Sequence, residues 1–397
     1  MEKSFKINSS VVKTNVFESR FLKKVFLTLF LCFFCFAKNI FAFDFGVLLF
    51  NDTAGKGIAG NAFSLDQKDE VSAWIKIPFG ESFSHYLAAE CLYRFEYDGY
   101  TGFYANYVDM PLLKYSFETD AGSGFFDLNV GRFFASDLTS RIIAQNADGC
   151  SVSFKNDFFS LQGYASYTGF LNGNITKMLD AKDFNAVDSR QVYSLADKYL
   201  NVMATVIFPD LFLQQTVAVQ GIGSFRFAEK SYNRFYGTVS ISGPIYQGLM
   251  YDVSASAGVK SYDGEDVVVS PFVKGRLSYY FSKWAVNVNA VFAGKDFTGI
   301  TSLKAYNSAL EPEYTDFIKA GISASVKPFD ILLLSAGFDS VFDGTKNYGF
   351  KGIQYNVDAT LQIASDVMIG AGWVHYIDMN VTEENYKSIS LKAKIAM

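Results

Sequence analysis

The amino-acid sequence predicts an all-β protein, a transmembrane antiparallel up-and-down β-barrel of about 16–18 strands. Three observations support this fold class. Apolar and polar residues alternate over many segments, short and long connections alternate along the chain, and aromatic residues reach 17% while charged residues stay at 19%. Soluble proteins carry about 25% charged residues, so this chain needs an apolar environment for its aromatic side chains.

The alternation is clearest between residues 353 and 363. Ile353, Val357 and Leu361 point to one face, whereas Gln354 and Asp358 point to the other. Such a period of two is typical of a strand with one apolar and one polar face. The polar face is mostly Ser, Thr, Gln, Asn and Gly, whereas a soluble sandwich would expose a charged face. The pattern therefore favours a membrane barrel with a water-facing interior.

The connections support the same conclusion. Outer-membrane barrels have short periplasmic turns and long extracellular loops, and a sheet in lipid must close because hydrocarbon cannot satisfy a bare edge. The predicted long connections are 51–69, 169–195, 222–230, 295–314 and 342–349. The predicted strands lie near 44–50, 71–77, 86–96, 107–117, 125–134, 150–155, 158–168, 198–208, 211–221, 232–242, 246–259, 267–280, 284–294, 315–327, 331–341, 350–363, 367–378 and 386–397.

The N-terminus predicts export. A basic cluster at Arg20, Lys23 and Lys24 precedes the apolar run 25–37, and the small residue Ala42 follows. This order is typical of a secretory signal peptide, and the run is too short for a transmembrane helix, although an uncleaved anchor is the alternative. We expect residues 1–42 to be a polar extension plus a cleaved signal peptide and residues 43–397 to form the barrel.

The expected mature chain is acidic. Residues 1–42 contain seven of the 35 basic and two of the 40 acidic residues, which leaves 28 basic against 38 acidic. Nucleic acid is therefore not expected as a partner. The chain has two histidines, His85 and His375, and no spacing typical of a metal site, so we expect no metal, no cofactor and no catalytic residue. A phospholipase-like role for His375 is the enzymatic alternative; beside Trp373 it is better interpreted as an interfacial residue.

The closing strand, residues 386–397, looks like the C-terminal assembly signal of bacterial outer-membrane barrels, although it ends in Met397 instead of Phe or Trp. Over its mature region the chain resembles the porin-like outer-membrane barrels of diderm bacteria, and its Phe- and Lys-rich style resembles that of spirochaetes. The resemblance implies a place in the cell outer membrane, with outer-membrane lipid and the barrel-assembly machinery as partners. Trimeric porins and monomeric channels share the pattern, so a homotrimer and a monomer both stay open.

A barrel of this size leaves an aqueous channel, so the sequence predicts a porin for small hydrophilic solutes, with a mild cation preference from the acidic balance. A surface adhesin, a structural barrel and a channel specific for hydrophobic compounds are the alternatives. The charged residues predicted to face the interior either line the pore or form an ion-pair network in which they neutralise one another. The pore-lining candidates are Glu90, Arg94, Glu96, Asp109, Asp127, Asp252, Lys274, Arg276, Lys319, Asp358, Lys392 and Lys394. The loop 169–195 is either a constriction that carries Asp180, Asp183 and Asp188 or a mobile surface loop.

Overall fold

The computed structural model describes ten stretches of the chain, and every structural statement below concerns them. They are residues 43–58, 63–80, 84–99, 102–171, 195–227, 232–262, 266–301, 316–344, 347–380 and 385–397. No helix within these stretches is long and apolar enough to cross a membrane. The predicted signal peptide falls on residues 1–42, which lie outside them.

Eighteen β-strands account for the regular structure of the described residues. Their bounds are β1 Asp44–Ile58, β2 Ser64–Phe79, β3 His85–Asp98, β4 Phe103–Ala121, β5 Gly124–Ser136, β6 Ala144–Asn156, β7 Ser160–Tyr167, β8 Tyr199–Phe212, β9 Gln215–Arg226, β10 Tyr232–Tyr246, β11 Leu249–Tyr262, β12 Val268–Tyr280, β13 Trp284–Ala293, β14 Phe317–Phe329, β15 Leu332–Asp343, β16 Gly349–Ala364, β17 Val367–Asp378 and β18 Tyr386–Ala396.

The strands form one closed antiparallel sheet. Each strand pairs with the next along the chain, and β18 returns to β1 in a register that runs from Leu48 opposite Ala396 to Ile58 opposite Tyr386. Closure leaves no strand with a bare edge, which is the condition for a sheet in hydrocarbon. The predicted up-and-down barrel is therefore confirmed, at the upper of the two strand numbers that the sequence favoured.

The two faces of the sheet differ as the alternation predicts. On β18 the outer side chains Ile389 and Leu391 are 59% and 58% exposed, whereas Lys392 lies opposite Asp52 on the inner face. Large hydrophobic side chains are exposed on most of the strands. An apolar exterior and a polar interior are the arrangement that a lipid-embedded barrel needs.

The predicted long connection at 51–69 is wrong. Strand β1 continues to Ile58 and β2 begins at Ser64, and the two pair along this whole length. Here both faces carry polar side chains, and Asn51 Nδ2 donates to Asp69 Oδ1 at 2.6 Å. Beyond the hydrocarbon both faces meet water, so alternation disappears from the sequence although the pairing persists. Similarly, β9 continues to Arg226 into the predicted loop 222–230.

Candidate functional site

The loop between β5 and β6, residues 137–143, folds into the lumen of the barrel. The Leu138 backbone N–H donates to Gln220 Oε1 on β9 at 3.1 Å, and Lys274 Nζ on β12 donates to the Thr139 carbonyl at 3.1 Å. Strand β9 lies three positions from β6 around the barrel, and β12 lies six positions away. A loop that reaches both strands must cross the interior.

A single carboxylate, that of Asp137, shapes this loop. Its Oδ1 accepts hydrogen bonds from the backbone N–H groups of Arg141, Ile142 and Ile143 at 3.1, 2.9 and 2.9 Å. Its Oδ2 accepts from the backbone N–H of Thr139 at 2.7 Å and from the Thr139 hydroxyl. Asp137 is only 4% exposed, so these five donors replace the water that a buried carboxylate loses. The loop is therefore held in one shape.

The loop between β13 and β14, described over residues 294–301, lies against the inner face of β10–β12. The Phe297 ring stacks on Phe272 at a centroid distance of 5.0 Å and meets the Tyr236 ring edge-on at 5.9 Å. Arg234, whose side chain is fully buried, donates from Nη1 to the Gly299 carbonyl at 2.8 Å. Aromatic packing and charge-assisted hydrogen bonding together hold this segment on the wall.

The two loops join inside the lumen. The backbone N–H groups of Ile300 and Thr301 both donate to the Ile142 carbonyl, at 2.6 and 2.9 Å, and the Ala144 N–H donates to Thr301 Oγ1 at 3.0 Å. We call residues 137–143 and 294–301 together the lumenal arch. Its apolar side chains form one buried cluster with the inner faces of several strands. The members of the cluster are Ile142, Ile143, Ile222, Tyr236, Phe272, Val291, Ala293, Phe297, Ile300, Phe317, Val341 and Tyr376.

The buried cluster of the lumenal arch rests on a limited part of the wall. The strand residues of the cluster come from β9, β10, β12–β15 and β17. Among the described residues, β1–β4 contribute no side chain to it. The arch therefore joins the wall at β5–β6 to the wall between β9 and β17 across the lumen, and β1–β4 lie outside its buried cluster.

The predicted pore-lining charges are spread around the barrel and do not meet at one point. Strand register and alternation with exposed apolar neighbours place all twelve on the inner face. They are Glu90, Arg94, Glu96, Asp109, Asp127, Asp252, Lys274, Arg276, Lys319, Asp358, Lys392 and Lys394. That they line a conducting pore stays a prediction.

Several of these charges are neutralised by neighbours on the inner face. Arg94 Nη1 lies 3.5 Å from Glu96 Oε1 and donates to the Tyr107 hydroxyl at 2.8 Å, and that hydroxyl donates to Glu96 at 2.7 Å. Arg94 also contacts Glu70, which pairs with Lys68 at 3.0 Å. This cluster has the form of an ion-pair network across β2–β4.

Two further pairs follow the same principle on other strands. Lys392 Nζ lies 4.0 Å from Asp52 Oδ2, and Lys319 Nζ lies 3.8 Å from Asp339 Oδ2. Lys274 instead donates to the arch, as described above. The Ser72 hydroxyl donates to Glu90, and Asn129 Nδ2 donates to Asp127 Oδ2 at 2.6 Å. Ion pairs thus balance charge on the inner wall at β1–β4, at β14–β15 and at β18, whereas Glu90 and Asp127 have neutral hydrogen-bond donors.

Asp109 differs from the other candidates because it lies beside a β-bulge in the pairing of β3 with β4. Its Oδ1 is 3.9 Å from Nη1 of Arg132, which also binds Asp148 through Nε at 2.8 Å and Nη2 at 2.9 Å. Arg132 is two residues after the exposed Val130 on β5 and shares its face. Asp109 lies between the exposed Val108 and Met110 and shares the inner phase of Tyr107, so the bulge begins just after it. Its place in the lining of a conducting pore stays a prediction.

The three constriction candidates Asp180, Asp183 and Asp188 lie outside the described residues. The lumenal arch was missed by sequence reasoning, which chose the longest connection. One signal was available: Ile142 and Ile143 are adjacent bulky apolar residues in a short loop, and such a pair has to be buried. Within the described stretches, no group of three or more His, Cys, Asp or Glu side chains could hold a metal ion.

Comparison with solved structures shows the fold. OccK9 (OpdG) of Pseudomonas aeruginosa superposes with a TM-score of 0.63 at 11% identity, over 90% of this chain and 99% of that one. The outer membrane protein OpdK of the same organism gives 0.58 at 10%, over 90% and 98%. OccK2 (OpdF), solved in complex with glucuronate, gives 0.60 at 9%, over 89% and 96%. The chain therefore has the porin-like outer-membrane β-barrel fold. No family model and no curated protein sequence matches it.

Proposed function

We propose that this protein is a passive pore of the outer membrane for small hydrophilic solutes. The observation that carries the proposal is a closed barrel of 18 strands with a polar inner face. Barrels of 16–18 strands enclose an aqueous channel, whereas about 8 strands are filled by their own side chains. The lumenal arch crosses this channel between β5–β6 and β13–β14 and narrows it, and the passage would run along β1–β4, which lie outside the arch's buried cluster.

The outer membrane is the location that this exterior fits. The apolar outer face matches a bilayer, and a predicted signal peptide would bring the chain to the periplasm, where the barrel-assembly machinery inserts such proteins. Contact with outer-membrane lipid and insertion by that machinery belong to this proposal. A homotrimer and a monomer both stay compatible with it, and gel filtration with cross-linking in native membranes distinguishes them.

We infer a mild preference for cations from two observations. The expected mature chain has 28 basic against 38 acidic residues. In addition, Arg234 is fully buried under the arch and Lys274 donates to the arch backbone, which draws positive charge away from the passage. Carboxylates that line a passage without a basic partner attract cations and repel anions.

Planar-bilayer recording of the exported protein tests the pore. We expect stepwise, roughly ohmic openings on the nanosiemens scale, and in a KCl gradient a reversal potential of the sign for cations. Glucuronate is a suitable first solute for liposome swelling because OccK2, which has the same fold, was solved with it. A barrel that is folded and heat-modifiable yet electrically silent would exclude a pore and leave an adhesin or a structural barrel. A reversal potential of zero, or one with the sign expected for anions, would exclude the cation preference but not the pore.

A further inference from the structure

One of the three tryptophans of the chain faces the lumen. Trp284 and Trp373 are on the outer face, 55% and 38% exposed, as expected for residues at the membrane interface. Trp74 has the opposite phase: it lies between Ser72 and Lys76 on the inner side of β2, and it is 41% exposed. A large aromatic side chain half-open to an aqueous lumen needs an explanation, because lipid does not cover it.

The indole of Trp74 lies over Gly46 of β1. A Cβ at position 46 would be 2.7 Å from Trp74 Nε1 and 2.8 Å from Trp74 Cε2, so only glycine leaves room for the ring there. One face of the indole is thus supported by the β1 backbone, and the exposed part is turned toward the lumen. Gly46 is two residues from Asp44, where β1 begins, which puts the ring near the periplasmic end.

Polar groups flank the ring on the same face. Asp44 and Lys76 are directly opposite each other in the β1–β2 register, one inward position beyond Gly46 and Trp74, and both are exposed. Lys76 Nζ lies over the Tyr86 ring at 4.2 Å from its centroid, which orients the ammonium group on the wall. An apolar platform therefore stands beside a carboxylate acceptor and an ammonium donor.

This combination fits a sugar ring. A pyranose has C–H groups on one face and hydroxyl groups around its rim, so the face packs on an aromatic ring while the rim hydroxyls need both donors and acceptors. We propose that Trp74 is a stacking platform for a pyranose ring at the periplasmic end of the lumen, with Asp44 and Lys76 binding its hydroxyls. Passage of sugars through this site rests on the proposed pore function, whereas binding from the periplasmic side does not.

Fluorescence tests binding without any measurement of conductance. In the full-length double variant W284F/W373F, Trp74 is the sole tryptophan. We expect maltotriose to change its emission saturably and brominated lipid to leave it unquenched. The matched variant W74F/W284F keeps only the lipid-facing Trp373, so brominated lipid should quench it and maltotriose should not affect it. Quenching of Trp74 by brominated lipid, or no response to maltotriose, would overturn the proposal.

Current block by maltotriose gives the second readout. We expect W74A to raise the half-blocking concentration about tenfold, and W373A to leave it unchanged. K76M should raise it by a smaller factor, since only one hydrogen-bonding partner is lost. Equal block of W74A and of the unaltered protein by maltotriose contradicts the proposal. So does a Trp74 fluorescence response to benzoate, an aromatic carboxylate without sugar hydroxyls, in the absence of a response to maltotriose. If maltotriose changes the Trp74 emission of a barrel that conducts no current, the sugar site is supported and the proposed pore function is contradicted.

Discussion

The Asp137 carboxylate shows how much of the lumen one residue can determine. It accepts five hydrogen bonds within residues 137–143, and it does so while almost fully buried. Hydrogen bonds to a charged acceptor are stronger than neutral ones, and their loss leaves backbone N–H groups without partners in a site that excludes water. The shape of the arch therefore depends on this side chain.

Replacing Asp137 with alanine should release the β5–β6 loop. We expect a larger and noisier single-channel conductance, and a free energy of unfolding lower by roughly 2–3 kcal/mol. Single-channel recording and urea titration of the folded barrel measure the two effects. Asp157→Ala is the matched control because Asp157 is an exposed carboxylate in the turn after β6. Unchanged conductance in Asp137→Ala would show that the arch keeps its shape without the carboxylate.

At the level of single residues, strict alternation is what made lumen-facing side chains predictable. Lys392 and Asp358 lie in strands where every second residue is apolar, so their inner position follows from phase alone. Asp109 also follows the phase of Tyr107, but the bulge just after it adds a residue, so the inner positions change from odd to even numbers from Leu112 onward. Trp74 was not singled out, because as an aromatic side chain on the polar face it departs from the alternation.

At the level of elements, the sequence predicted every strand, because each one has to present an apolar face to lipid over about ten residues. The errors concern strand ends. Strands β1 and β2 extend past the apolar band, where nothing in the sequence marks one face as the outer one. The arch loops escaped prediction for another reason: a loop is held inside a barrel by contacts with distant strands, such as Gln220 and Lys274, which local patterns do not encode.

The junction between the two arch loops can be tested through the backbone. Ile300→Pro removes the N–H that donates to the Ile142 carbonyl, so we expect residues 294–301 to detach from the β5–β6 loop. Conductance should increase while the far-ultraviolet circular dichroism of the sheet stays the same. Ile300→Ala keeps the N–H and loses only packing, so it should have a smaller effect. If both variants conduct equally, packing and not the hydrogen bond holds the junction.

At the level of the whole molecule, closure distinguishes this barrel from an open sheet. The pairing of β18 with β1 continues over eleven residue pairs, and the backbone of Met397 exchanges two hydrogen bonds with Val47, both at 2.8 Å. Without this seam, β1 and β17 would expose unpaired N–H and C=O groups to hydrocarbon, at a cost of several kcal/mol for each group. Folding and membrane insertion therefore depend on the last strand.

Deleting residues 386–397 should prevent folding altogether. We expect no heat-modifiable species on unboiled gels and complete digestion by protease in membranes. The control is Met397→Phe, which keeps both backbone hydrogen bonds and should yield a folded barrel. A heat-modifiable band from the truncated chain would show that β1 can close on β17 and that the eighteenth strand is dispensable.

The lumenal arch, whose buried cluster leaves out β1–β4, has a consequence for the kind of molecule that would pass through the proposed pore. In the proposed pore, a solute that enters along the barrel axis would meet the loops joined at Ile142 and Ile300 and would have to bend toward the β1–β4 wall. Short or pliable molecules can follow such a curve, whereas a stiff rod of the same cross-section cannot. The permeation rate should thus depend on the stiffness of a solute as well as on its diameter. A flexible chain should permeate at lengths at which a rigid isomer does not.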